Sequence, residues 1–375
     1  MSSFGVYQTY YQNELLSASS AIQISWIGSI QAFLLMVVGV STGPLYDRGY
    51  LNSMLLVGSI LTAFGIMMTS ICTKYWQVVL AQGICIGLGA GCLFVPSLAV
   101  VSTFFNEKRA LATGIAVSGN AIGGIIYPIT FRQLQPSLGF GWATRIIGFI
   151  TLALLVIAIA CMWSRSPPKP PRALFQPSAF KSWPYALQSF GTMFGFIGLY
   201  IPIFYIQIYA LTMEITPNQD YAFYLISILN AGQFFGRILP NFFSNKVGLM
   251  NMMVLDTFAA GVLSLGWIGV NSVAGITVFA ILYGFFAGAY ISLIPPVLVE
   301  LTPDLTVVGT WLGMSLFVAS FGLLIGTPIA GSLVNIEKKQ FVAAQGFTGG
   351  VILLGGFLML MALITQARAT KSWRV

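Results

Sequence analysis

Long apolar stretches make up most of this chain, and short polar breaks separate them. A helix needs about 20 consecutive apolar residues to cross a hydrocarbon core about 30 Å thick. Eleven stretches reach that length. They run approximately over residues 24–45, 51–72, 77–104, 110–131, 143–163, 184–209, 222–244, 249–270, 273–299, 307–334 and 346–367. The pattern predicts an all-α polytopic membrane protein.

The composition agrees with a bilayer as the solvent of this fold. Hydrophobic residues make up 57% of the 375 residues and charged residues only 7%, which is too little polar surface for a water-soluble domain. The net charge of +8 would suit nucleic acid, but the basic residues stand singly between apolar stretches and form no stripe. The lipid bilayer is therefore a predicted partner, and nucleic acid is not.

Enzymatic and metal-binding chemistry lack their usual residues. The chain has no histidine, and its few carboxylates are scattered. Its four cysteines lie within apolar stretches, without the Cys-x-x-Cys spacing of a metal or redox site. They are Cys72, Cys85, Cys92 and Cys161. The sequence therefore predicts neither an enzyme nor a metal or cofactor site.

Basic residues are divided unequally between alternate loops, with eleven on one side of the membrane and five on the other. The eleven are Arg48, Lys108, Arg109, Arg165, Lys169, Arg172, Lys181, Lys246, Arg368, Lys371 and Arg374; the five are Lys74, Arg132, Arg145, Lys338 and Lys339. By the positive-inside rule, the richer side faces the cytoplasm and carries the C-terminus. We expect this orientation in the plasma membrane.

The longest polar break, residues 164–183, divides the chain near its middle. It contains Ser-Pro-Pro-Lys-Pro-Pro-Arg, a proline-rich segment that resists helix formation. Glycines and prolines on its two sides recur at an offset of 199 positions, in the pairs Gly89 and Gly288, Pro96 and Pro295, Gly114 and Gly313, and Gly123 and Gly322. Such residues set close helix approaches and kinks. The offset predicts two six-helix bundles, residues 1–163 and 184–375, joined by a cytoplasmic linker.

The same comparison predicts that the first helix is incomplete. Residues 4–7 (Phe-Gly-Val-Tyr) correspond to residues 197–200 (Ile-Gly-Leu-Tyr) in the second half. The later helix begins near Pro184, 14 residues before Gly198, and the same distance before Gly5 runs past the first residue. We therefore expect eleven full spans and a partial one, as in a chain truncated at its N-terminus.

Several short motifs lie along the whole chain. They are Phe4-Gly5-Val6, Trp26-Ile27-Gly28-Ser29-Ile30-Gln31, Gly43-Pro44-Leu45-Tyr46-Asp47-Arg48-Gly49, Gly87-Leu88-Gly89-Ala90-Gly91, Lys108-Arg109-Ala110-Leu111-Ala112-Thr113-Gly114 and Gly236-Arg237. Together they resemble the major facilitator superfamily, and most closely its monocarboxylate porter family in the form common in fungi. The resemblance implies the major facilitator fold and a carrier for small monocarboxylates, vitamins or secondary metabolites.

The resemblance also implies a latch in the loop after the second span. Gly43, Asp47 and Arg48 occupy the position of the superfamily's interhelix motif, where an acid and a base hold helices together near a helix end. The basic residues that usually follow are replaced by Gly49-Tyr50-Leu51. We expect a gating element at this loop and no substrate contact.

Arg237 is the main candidate for substrate binding. It lies nine residues before Lys246, about 13 Å inside the membrane boundary. An arginine at that depth usually faces a watery cavity or an ion partner. The resemblance implies that Arg237 holds a substrate carboxylate. The alternative is an ion pair with Asp256, about 9 Å deep on the next span, and the sequence leaves both open.

Proton coupling is not expected. Proton-coupled porters of this family typically carry an acid four residues before this arginine and a lysine in the first helix. Gln233 holds the first of these positions, and no lysine precedes Lys74. With no histidine and few intramembrane acids, a proton relay is hard to place.

Other polar and aromatic residues lie on the presumed cavity helices. Besides Arg237 and Gln233, the candidates are Asn120, Tyr127, Tyr290, Tyr7 and Asn230, with Gln31, Tyr200 and Tyr205 nearby in the pattern. They are suited to a partly aromatic or hydroxylated ligand. Interhelical hydrogen bonds explain such residues in a bundle at least as often.

These features predict a secondary transporter that moves a small organic anion, monocarboxylate or secondary metabolite by alternating access. Two alternatives remain open: a non-transporting membrane sensor with the same fold, and an inactive truncated copy. A sensor should carry a large cytoplasmic extension, whereas the central loop and C-terminal tail are short. The sequence does not indicate the oligomeric state.

Overall fold

The computed structural model describes residues 4–104, 109–163, 176–216, 219–303, 307–336 and 338–372. Within these ranges the structure is helical apart from turns and one isolated antiparallel bridge between Asn335 and Gln340. Ten of the described helices are long and apolar enough to cross a membrane. The prediction of an all-α polytopic fold is confirmed.

The helices follow one another with short connections. In the part before residue 164, they are α1 (Phe4–Tyr10, continued by a π-helical turn, Tyr11–Leu15), α2 (Ala21–Asp47), α3 (Leu51–Thr69), α4 (Tyr75–Val78, continued by a π-helical segment, Val79–Cys85), α5 (Ile86–Phe104) and α6 (Arg109–Met162). After a 3₁₀ turn at Pro177–Lys181 come α7 (Trp183–Thr212), α8 (Gln219–Val247), α9 (Leu249–Gly266), α10 (Val273–Glu300), α11 (Val308–Leu333) and α12 (Val342–Thr370).

Helix α6 contains two of the predicted spans, and they meet at a break in the helix at Gly139. This glycine has φ 75° and ψ 169°, outside the helical region, and Pro136 lies just before it. Glycine enters positive φ without a Cβ clash, and proline removes a backbone donor, so the pair ends one arm and starts the next. With this break counted, each of the eleven predicted spans corresponds to a described helix or helical segment, and several predicted ends differ from the observed ones by one to four residues.

The described part of the first helix is short and well packed. The ring of Phe4 lies 4.9 Å from the ring of Phe204 on α7, and Phe4 is 2% exposed. A Cβ added to Gly5 would lie 2.9 Å from the carbonyl oxygen of Ile203, so α1 and α7 approach closely here. The expectation of an incomplete first helix stays a prediction.

Two helix pairs join the segments that precede and follow the central loop. Helix α2 packs against α11, and the first arm of α6 packs against α8. A Cβ on Gly114 would lie 2.7 Å from the carbonyl oxygen of Arg237, and one on Gly313 would lie 3.2 Å from Cγ1 of Val40. These two glycines, 199 positions apart, therefore stand at corresponding places in the two helix pairs. The division into two six-helix bundles stays a prediction.

Close backbone contact between α8 and α10 generates the first testable prediction. A Cβ on Gly284 would collide with the carbonyl oxygen of Leu229. Because backbone cannot yield as a flexible side chain does, we expect Gly284→Ala to lower the free energy of unfolding by about 1–3 kcal/mol. The measurement is the midpoint of thermal unfolding of the purified protein in detergent.

Gly350→Ala is the matched control. Gly350 lies in α12 with no atom within 4 Å of an added Cβ. Alanine is the better helix former by up to about 1 kcal/mol, so this variant should unfold at the parent temperature or above it. Equal midpoints for the two variants would contradict the close approach of α8 and α10.

Candidate functional site

One face of α8 carries a buried polar stripe. Its members are spaced by three or four residues, the repeat of a single helix face, and each is at most 2% exposed. They are Asn230, Gln233, Arg237, Asn241 and Ser244. Helix α8 packs against α6 and α10, so the stripe is enclosed by protein. Polar side chains at this depth in a membrane usually mark a functional site.

Arg237 is the centre of this stripe. Its side chain is fully buried, and its guanidinium bonds to one group on α6 and one on α8. Nη1 donates to the carbonyl oxygen of Val117 at 2.5 Å, and Nη2 donates to Oε1 of Gln233 at 3.0 Å. Nε has no hydrogen-bond partner among the described residues. The guanidinium therefore joins α8 to α6, and its Nε remains available as a hydrogen-bond donor.

Asn241 extends the site towards α10. Its Nδ2 donates to the carbonyl oxygen of Arg237 and to Oγ of Ser292, both at 2.9 Å. In the described part of the chain, Nε2 of Gln233 and Oδ1 of Asn241 have no partner. Each buried polar atom without a partner costs about 1–3 kcal/mol. Three such atoms along one stripe favour a site that a polar ligand completes.

The ion pair between Arg237 and Asp256, which the sequence left open, is not formed among the described residues. Arg237 points to α6 and bonds as described above. Asp256 lies on α9, which packs mainly against α12 and α10, and its Oδ2 has no hydrogen-bond partner within the described ranges. The sequence gives the approximate position of each residue along its helix. It does not give the rotation of the helix, which directs Arg237 towards α6 and away from Asp256.

Most of the other sequence candidates take part in helix packing. The Tyr127 hydroxyl hydrogen bonds to Oγ1 of Thr151 at 2.9 Å, between the two arms of α6. Tyr290 donates to the carbonyl oxygen of Thr192 at 2.9 Å, which joins α10 to α7. Tyr7 belongs to an aromatic cluster with its ring 4.9 Å from that of Phe131. None of these three contacts reaches Arg237.

Two amide candidates lie nearer the stripe. Asn230 is fully buried, donates to the carbonyl oxygen of Ile226 at 2.8 Å and packs against Gly124 of α6. Asn120 is exposed and lies one turn along α6 from Val117, whose carbonyl binds Arg237. Gln233 is the candidate that the structure brings into direct contact with Arg237.

The predicted latch lies at the end of α2. Gly43 is within the helix with no atom within 4 Å of an added Cβ, and Arg48 is exposed in the turn that follows. The side chain of Asp47 lies outside the described part of the chain. The latch therefore stays a prediction.

Sequence reasoning missed Asn241, Ser292 and the carbonyl of Val117. Asn241 could have been found, because positions 233, 237 and 241 have the spacing of one helix face. Ser292 and the carbonyl of Val117 belong to other helices. No sequence signal shows which backbone carbonyl faces a given side chain.

A cavity of about 410 Å³ lies at the far end of the same helices. It is lined by Thr9, Tyr10, Asn13, Glu14, Phe131, Arg132, Gln135, Leu211, Glu214, Thr216 and Phe223. We call this region the Arg132 end of the molecule. Its walls come from α1, α6, α7 and α8, so segments from both sides of the central loop enclose it.

Known proteins match this chain over most of its length. The family model of the Major Facilitator Superfamily matches residues 1–280. The MFS-type transporter dbaD of Emericella nidulans is 44% identical over 364 residues, which cover 97% of this chain and 82% of the relative. The aspyridones efflux protein apdF of the same fungus is 40% identical over 359 residues, which cover 96% and 73% of the two chains.

A third relative is the agnestins efflux protein AgnL12 of Paecilomyces divaricatus. It is 36% identical over 365 residues, which cover 96% of this chain and 82% of the relative. All three relatives are named as transporters or efflux proteins, in agreement with the apolar helices and the buried polar stripe. The chain is an integral, multi-pass membrane transporter, and it belongs to the Major Facilitator Superfamily.

Proposed function

We propose that this transporter exports an organic anion, a secondary metabolite with an acidic group, by alternating access, and that Arg237 holds the acidic group. The observation that carries the proposal is a fully buried guanidinium whose partners are a carbonyl and an amide oxygen, with no carboxylate bonded to it in the described ranges. Two relatives are named as efflux proteins for aspyridones and agnestins, which supports an exported metabolite here.

The geometry suggests how an anion is held. A guanidinium binds a carboxylate or similar group through two parallel N–H donors, and the bond is stronger than one to a neutral oxygen. Arg237 offers Nε, and the amide nitrogen of Gln233 is a second donor without a partner among the described residues. An anion that enters here replaces the neutral oxygen of Val117 as the partner of Nη1.

The exchange of Val117 for the substrate anion couples substrate binding to movement of α6 relative to α8. Val117 lies on α6 and Arg237 on α8, so their bond joins the segments on either side of the central loop. A substrate that takes over the guanidinium weakens this link while it occupies the site. In the two-bundle arrangement, residues 1–163 and 184–375 would then rock about the α2/α11 and α6/α8 contacts, with 164–183 as the linker and Gly43, Asp47 and Arg48 as a latch.

The finer family position and the orientation are part of the same proposal. The motifs around Gly28 and Arg237 support the monocarboxylate porter family in its fungal form. The loop charges support a plasma-membrane protein with its C-terminus in the cytoplasm. In that orientation the Arg132 end faces the outside of the cell.

Replacement of Arg237 tests the site. A panel of monocarboxylates, flavins and polyketide acids is first ranked by thermal stabilisation of the parent protein, and the best ligand becomes the transport probe. Because a hydrogen bond to a charged group contributes about 1.5–3 kcal/mol, Arg237→Gln should weaken the apparent affinity in proteoliposomes by about ten- to a hundredfold. Arg237→Lys keeps the charge and should lose less.

Arg368→Gln is the matched control, because Arg368 is an exposed cation at the end of α12. It should leave the affinity unchanged. Asp256→Asn distinguishes substrate binding from folding. Equal loss of folded protein in Arg237→Gln and Asp256→Asn, with unchanged transport per folded molecule, would defeat the substrate-site proposal.

The pH dependence of transport tests the absence of proton coupling. Gln233 does not titrate, and it bonds to Arg237 where a proton-coupled porter would carry an acid. We expect transport of the probe in proteoliposomes to change little between mildly acidic and neutral pH. Strong stimulation by acid would refute this, and its loss in Asp256→Asn would assign the proton to Asp256.

The orientation is tested with an epitope tag at the C-terminus. An antibody should reach the tag only after the cells are permeabilised, because the basic loops keep this end in the cytoplasm. Binding of the antibody to intact cells would reverse the assignment of the Arg132 end.

A further inference from the structure

An ion pair joins α6 and α8 at the Arg132 end. Nε of Arg132 donates to Oδ1 of Asp220 at 2.7 Å, and Nη2 reaches the same oxygen at 2.5 Å. The guanidinium lies 4.6 Å from the centre of the Phe223 ring. One residue further along α6, Nε2 of Gln133 donates to the hydroxyl of Tyr224 at 3.2 Å. Two consecutive residues of α6 are thus bound to the start of α8.

This pair lies at the wall of the cavity, at the opposite end of α8 from the centre of the buried polar stripe. Arg132 and Phe223 line the cavity. Below them, the contact between α6 and α8 continues through Ser227, whose Oγ donates to the carbonyl oxygen of Ile125 at 3.4 Å. Seventeen residues separate Asp220 from Arg237, a distance of about 25 Å along α8. Movement of a molecule from Arg237 to the cavity along this seam requires α6 and α8 to separate, and the pair holds the two helices together at this end.

The pair is suited to opening. Its side chains are 24% and 51% exposed, and ion pairs in contact with water contribute little stability because water and salt screen them. The ring of Phe223 adds a weak cation–π attraction. Arg237, by contrast, is fully buried and bonded on both sides. The ion pair next to the cavity is therefore easier to break than the bond between Arg237 and Val117.

A second ion pair near the cavity provides a comparison. Nζ of Lys339 lies 2.6 Å from Oε1 of Glu214, and the ammonium holds the pKa of this carboxyl below its usual range. It joins the connections after α7 and after α11, both of which follow the central loop. This pair does not link the two sides of the chain, so movement between them leaves it intact.

We propose that Arg132 and Asp220 form a gate that holds α6 and α8 together beside the cavity, and that the cavity is the vestibule through which the substrate leaves. The second clause rests on the proposed export function. The gate itself is a property of the α6/α8 contact. It opens when the α6 and α8 ends separate and the guanidinium leaves the carboxylate.

A thiol at position 227 reports on the gate. Ser227 is 7% exposed and lies two helical turns inside Asp220. In Ser227→Cys, labelling by a water-soluble maleimide in detergent should be slow while the gate is closed. Because exposed ion pairs are weak, Arg132→Asp should raise the labelling rate by about two- to fivefold. The parent chain with its native cysteines gives the background rate.

Charge exchange separates a gate from general loosening. Arg132→Asp combined with Asp220→Arg restores the opposite charges and should return the rate towards that of Ser227→Cys alone. Lys339→Glu breaks the control pair and should leave the rate unchanged. If Arg132→Asp does not yield monodisperse protein, Asp220→Asn removes only the charge of the acceptor and should give the same rise.

The proposal is overturned if breaking the pair leaves the labelling rate unchanged, if Lys339→Glu raises it equally, or if charge exchange gives no recovery. The assay needs no substrate, so failure of the export proposal leaves this result standing. Conversely, loss of the gate would leave the binding role of Arg237 untouched.

Discussion

Inside a bilayer, a polar group finds no water to bond with, and this constraint governs the whole structure. The backbone satisfies it by forming helices, which meet all internal donors and acceptors within one segment. Proline inside the spans, as at Pro96, Pro202 and Pro328, is tolerated because neighbouring helices and side chains take over the freed groups. Buried polar side chains need hydrogen-bond partners on their own helix or on a neighbouring one. Many serines and threonines bond to a carbonyl of their own helix, as Thr192 does, whereas Arg237 and Tyr290 reach between helices.

The contact between α6 and α8 contains a buried and a water-exposed polar interaction, and the two differ in strength. Arg237 is fully buried and binds a backbone carbonyl, so removing either partner leaves a costly unpaired group. At the Arg132 end, water competes for both partners of Arg132 and Asp220, and the interaction is weak. In the proposed transport cycle, this gradient along one helix pair lets the Arg132 end open while the substrate is held at Arg237.

Glycine makes these contacts possible. At Gly114 the backbone of α6 comes close enough to α8 for the guanidinium of Arg237 to reach Val117, and at Gly313 helix α11 packs against the side chain of Val40 on α2. Without a large hydrophobic gain to draw helices together in lipid, small residues allow the close packing that holds the bundle. The pair Gly114 and Gly313 of the sequence offset thus lies at helix contacts in space.

The sequence by itself determined the all-helical fold and the approximate positions of the spans, because apolar length is a local property. It also pointed to Gln233, which shares a helix face with Arg237. Only the tertiary structure decided that Arg237 bonds to Val117 and not to Asp256, and that Tyr127 and Tyr290 serve packing. It also paired Arg132 with Asp220, 88 positions apart. Such pairings depend on which helices are neighbours and how each is rotated, and apolar stretches of similar length carry little information about either.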